Sequence, residues 1–109
     1  MVLSVFDFDH LLTQTGGDLA FAHETLSKFR NQLHTGYQAP LQSAWERQDW
    51  LLLRQLSHRL RTPANHLGAQ RIAAAAAAME QWLIQHEDLS LTLYEALTRS
   101  IDEFLVDAR

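Results

Sequence analysis

The sequence predicts an all-α protein: an antiparallel up-down four-helix bundle with a short extra helix at its N-terminus. Three observations carry this. Apolar residues recur at spacings of three and four along most of the chain. The stretches so marked are separated only by short breaks, at Gly16-Gly17, Arg47-Gln48-Asp49, Gly68 and residues 85–88. Period-two alternation competes nowhere except in the apolar start at residues 2–8. Short connections favour antiparallel neighbours, hence the up-down bundle. The 109 residues are read as one domain on size alone, with no internal repeat and no linker.

Taken in order, Asp7 or Asp9 is placed to cap a brief helix through Leu11 and Leu12, which Gly16-Gly17 ends. Asp18 is the N-cap of a long helix whose apolar positions are Leu19, Ala22, Leu26, Phe29, Leu33, Tyr37, Leu41 and Ala44. That phase survives Gly36 and Pro40, which predicts one helix kinked near Ala39-Pro40 or two collinear pieces rather than a loop. Asp49 caps the next helix. Pro63 falls inside it and is expected to kink it near its end, and Gly68 closes it at a tight corner. The six alanines 73–78 have the highest helix propensity and let a neighbour approach closely, with Ile72, Met79, Trp82 and Leu83 as apolar anchors. Thr92 with Glu95 suggests a capping box for the last helix, unless it starts at Asp88. Its stripe is Leu93, Leu97, Ile101 and Phe104/Leu105, and it is expected to run almost to Arg109.

Composition narrows the function. With 47% hydrophobic and 20% charged residues, the chain reads as an ordinary globular protein. Cysteine is absent, which excludes disulfides and thiolate metal sites. The start carries Asp7 and Asp9 in place of a basic region, and no apolar run is long enough to span a bilayer, so the cytoplasm is expected and no membrane partner. A net charge of −4 argues against nucleic acid. The cluster Arg54/Arg59/Arg61 runs against that global sign.

That cluster surrounds a histidine. Leu53, Leu56, Leu60 and Leu67 fall near one line of a helical wheel, and His58 lies roughly 155° from it. Arg54, Gln55, Arg61, Thr62 and Asn65 share its polar half and are candidate binding residues. An imidazole on the wet face between arginines can act as a nucleophile toward an anionic group, and arginines can hold phosphoryl oxygens or pair with acidic residues of a partner. His10, His23, His34, His66 and His86 show no ligand spacing, so no metal site is expected.

Around His58 the chain resembles the histidine-containing phosphotransfer (HPt) domain of bacterial two-component phosphorelays. That pattern has an acceptor His, a hydrophobic residue two later, Lys or Arg three later, Gly four later, and Gly-Ala at ten and eleven; here the positions hold His58, Leu60, Arg61, Thr62 and Gly68-Ala69. The acidic or amide residue twenty-two positions on, on the adjacent helix, is Glu80, preceded by apolar Met79. Phe6-Asp7, Leu11-Leu12, Gly16-Gly17-Asp18, Phe29, Ala44 and Asp49-Trp50 fit upstream, so the resemblance covers nearly the whole chain. It implies that His58 is the phosphoacceptor, that Glu80 orients it, and that Arg61 stabilises the phosphoryl group or the partner. Gly68 is structural. The partners implied are response-regulator receiver domains and a hybrid sensor histidine kinase. The chain would pass phosphate from one receiver aspartate to another, with no cofactor of its own and with Mg²⁺ supplied by the receiver. It would be a relay component, not an ATP-dependent kinase. Because a complete bundle buries its own core, a monomer is expected, with Trp45 or Trp82, if exposed, as the aromatic that would seed a dimer. Thr62 departs from the pattern, where Gly is usual, and Pro63 follows it. These two leave room for an alternative: a docking protein that inhibits or adapts a kinase or receiver without relaying phosphate.

Two other resemblances are local. Residues 57–63 are similar to the phosphoacceptor box of sensor histidine kinases, but Arg59 replaces the acidic residue that follows the His, and the chain has neither a Gly-rich nucleotide-binding motif nor room for an ATP-binding domain. Phe6-Asp7-Phe8-Asp9 resembles the nucleophile motif of haloacid-dehalogenase-type phosphatases, whose chemistry needs a parallel sheet that this helical pattern does not supply.

Overall fold

The computed structural model describes residues 3–86 and 90–107, and every element formed by them is helical. The helices are α1 (Phe8–Gln14), α2 (Leu19–Gln32), α3 (Ala39–Glu46), α4 (Trp50–His66), α5 (Gln70–His86) and α6 (Leu91–Asp107). The all-α class, with a bundle and a short N-terminal helix, is therefore observed. No helix among the described residues is long and apolar enough to cross a membrane.

Three aspartates set the entries. Asp7 accepts from the His10 N–H, Asp18 from Phe21 and Asp49 from Leu52, each satisfying a donor that the first helical turn leaves unpaired. Between α2 and α3 the chain stays helical through a π-helical segment, Leu33–Gln38, with α-region backbone angles on both flanks. The expected irregularity is thus present, but it lies before Pro40 rather than at it. In a regular α-helix the Pro40 ring would strike the Gly36 carbonyl; a wider turn just upstream takes up that mismatch. α6 is entered differently from the sequence reading: Ser90 Oγ accepts from the Leu93 N–H, and no Thr92–Glu95 box forms. A start at Asp88 and an end near Arg109 lie outside the described residues.

The core is the row of leucines and aromatics that the spacing marks. Leu26, Phe29, Leu33 and Leu41 come from the long rod, Leu53, Leu56 and Leu60 from α4, and Leu97, Ile101 and Phe104 from α6. Leu19 departs from its predicted stripe: it is 57% exposed, while Ala22 in the same turn is buried. α4 and α5 form the most extensive helix pair, with Ala73 and Ala76 buried. Trp45 stacks on Tyr94 at 4.4 Å and Trp82 on His86 at 3.9 Å, so both tryptophans are half-buried within the chain.

The α4–α5 corner fixes the relation of these two helices. Gly68 takes φ +71°, a left-handed conformation that glycine adopts without penalty. Its carbonyl accepts from the Asp7 N–H at 3.0 Å, and a Cβ there would lie 2.7 Å from the Asp7 carbonyl oxygen. Farther along, Arg71 bonds the Leu3 carbonyl and pairs with Glu103 on α6. Gly68→Ala is expected to cost about 2 kcal/mol or more, from left-handed strain plus displacement of the segment that carries Asp7. Urea denaturation of the two proteins measures it.

Candidate functional site

The site is made by the contact between α4 and α5. The buried face of α4 carries Leu53, Leu56, Leu60 and Ala64, so the helix turns His58 outward, with 68% of its side chain exposed. The ring is nevertheless tethered. His58 Nδ1 lies 2.5 Å from Glu80 Oε2, and Arg61 Nη1 donates to Glu80 Oε1 at 2.6 Å. Glu80 is on α5 with only 12% of its side chain exposed. Its two oxygens are divided between the imidazole and the guanidinium.

Burial pushes the Glu80 carboxyl up, but the hydrogen bonds from Arg61 and His58, with their charges, outweigh it and hold the group below its ordinary value of 4.5. An ionised carboxylate only accepts, so His58 Nδ1 must carry the hydrogen. In the neutral ring the lone pair is then on Nε2, the nitrogen Glu80 does not hold. The fold thereby selects a tautomer and offers a nucleophilic atom.

The sign of the acid dependence follows. A carboxylate held below its unfolded value stabilises the fold above about pH 4.5, and that contribution is lost as the pH falls through the lower folded value. The stability gap between the wild type and Glu80→Gln is therefore expected to be widest above pH 4.5 and to close below it. Thermal melts of both proteins across that range test this.

The structure brings together three of the residues named from sequence: His58, Glu80 and Arg61. The others lie around them. Arg54 is one turn before His58, in a groove with Trp50, Leu51 and Leu83. Gln55 and Thr62 are exposed. Asn65 is tied to α1, its carbonyl 3.0 Å from His10 Nε2. Gly68 is the corner described above. Sequence reasoning missed two features. Ser57, beside His58, is fully buried with no partner for its hydroxyl. The other was Tyr37, read as part of an apolar stripe. It shares a groove with Gln32, Thr35, Leu56, Arg59 and Pro63 on the flank of α4 away from Glu80. Burial raises the Tyr37 phenol, against the lowering effect of Arg59. Gly36 and Pro40 marked that segment as irregular but did not say which face it would turn to α4. Among the described residues, no three His, Asp or Glu side chains form a group that would hold a metal ion.

A helical bundle that turns the His58 imidazole to solvent and holds its inner nitrogen with a buried carboxylate is a scaffold for presenting that histidine. Residues 19–106 match the model of the family described as Hpt domain, and the chain belongs to that family. No match was found among curated proteins or among solved structures. Membership carries the general function of histidine phosphotransfer in phosphorelays, through interaction with receiver domains and kinases.

Proposed function

We propose that this chain is a phosphotransfer intermediate that accepts a phosphoryl group on His58 Nε2 from a receiver-domain aspartate and passes it to the aspartate of another receiver. The observation that supports it most is the Glu80 clamp, which fixes the ring through Nδ1 and leaves Nε2 toward solvent. In the forward step the Nε2 lone pair attacks phosphorus and an Nε2–P bond forms. The bond from phosphorus to the aspartyl oxygen breaks, and its electron pair leaves with the aspartate carboxylate. The Nδ1 proton stays on the ring, facing Glu80, whose charge offsets the positive charge the imidazole acquires.

Arg61 is the candidate for the phosphoryl oxygens, being half-exposed and one turn from His58. Arg54 and Arg59 give this face a local charge opposite to the chain's net −4, which suits approach of an acidic receiver pocket. The Mg²⁺ that neutralises the phosphoryl group is assigned to the receiver. The chain itself is taken as a monomer in the cytoplasm that carries no cofactor.

The experiment is incubation with a panel of phosphorylated receiver domains, reading acid-labile, base-stable phosphate on the chain by intact mass. Label from at least one receiver is expected. Binding without label from any receiver would instead favour a docking protein, and Thr62→Gly would then be the reversion to try.

A further inference from the structure

Ser57 is the polar residue beside the site that this reading leaves without a task. It is fully buried, and its Oγ has no hydrogen-bond partner. Five other helical hydroxyls behave differently: Thr13, Thr25, Thr35, Thr98 and Ser100 each bond the carbonyl four residues back. A hydroxyl hidden from water and not returned to its own backbone calls for an explanation.

Its position supplies one. Ser57 directly precedes His58 and lies one turn before Arg61, the two residues that hold Glu80. On the helical wheel Arg61 falls roughly 40° and His58 roughly 100° from Ser57, in the same direction. The three side chains thus occupy adjoining positions on the flank of α4 that meets α5. Two of them bind Glu80 at rest.

Turnover changes that arrangement. Arg61 is 45% exposed, and when its guanidinium swings fully onto phosphoryl oxygens on His58, Nη1 leaves Glu80 Oε1. Glu80 would then be a buried carboxylate short of one donor, which disfavours its charge and its hold on Nδ1. We propose that the Ser57 hydroxyl is the reserve donor for Glu80, taking Oε1 when Arg61 turns to the phosphoryl group. Ser57 is then a positioning residue acting through Glu80. The inference rests on His58 being the phosphoacceptor, and it assigns a role to a residue outside the motif.

The test uses Ser57→Ala in the wild-type chain and in an Arg61→Ala background, with phosphoramidate as a small phosphodonor. In the wild-type background the change removes a hydroxyl that has no partner at rest. The melting temperature is therefore expected to stay level or rise, while the maximal rate of His58 phosphorylation falls about fivefold. In the Arg61→Ala background Glu80 already depends on Ser57, so the same change is expected to lower the melting temperature. A packing role would not reverse sign between backgrounds. Equal effects on melting in the two backgrounds, or a wild-type phosphorylation rate in Ser57→Ala, would overturn the inference. Failure of the wild-type chain to take phosphate from phosphoramidate and from every receiver would overturn the His58 reading, and this inference with it. A labelled wild type with an indifferent Ser57→Ala overturns the Ser57 role alone.

Discussion

His58→Gln is expected to reduce phosphate acceptance to background, a loss of at least about three orders of magnitude, while leaving the bundle folded. The side chain is 68% exposed and, among the described residues, makes its one polar contact with Glu80. A glutamine amide can still donate to that carboxylate, so the cost in stability is set at about 1 kcal/mol or less. What it lacks is a nitrogen lone pair able to attack phosphorus. Binding to a receiver should survive, because the rest of the face is untouched. A chain that acted only by docking would keep its cellular output with this substitution; a relay component would lose it.

The second large effect is expected at Glu80. Glu80→Gln keeps the shape but removes the charge that balances the imidazole and receives Arg61 at 2.6 Å. Nothing then selects the Nδ1–H tautomer strongly, because a side-chain amide can donate or accept. The transfer rate is expected to fall roughly ten- to hundredfold, the usual scale for losing the partner that orients a histidine. Affinity for the receiver should change little, since Glu80 is buried under the surface a partner touches. Single-turnover kinetics beside a binding titration separate the two. Weakened binding at an unchanged transfer rate would place Glu80 in the interface instead of behind it.

Three of the helices were legible because each begins with a residue whose chemistry is local. Asp7, Asp18 and Asp49 announce their own N–H partners three residues on, and Gly68 announces a left-handed corner. The π-helical segment was legible only as trouble near Pro40; which turn widens depends on how the long rod packs against α4 and α6. The start of α6 was misread because Ser90 and Thr92 are both able to cap, and position relative to the core decides between them. At the site, His58 and Arg61 could be read from one helix's wheel. Glu80 could not: only a resemblance of spacing linked it to His58, twenty-two residues away, and the pairing of α4 with α5 brings them together. Ser57 was invisible because a serine in a helix usually satisfies itself.

The most direct test of the account is the site of phosphorylation, read by heteronuclear NMR on the ¹⁵N-histidine-labelled phosphoprotein. Phosphorus is expected to couple to Nε2 of His58, with the Nδ1 hydrogen retained. Phosphate on Nδ1 of that ring, or on His66 or any other side chain, would contradict it.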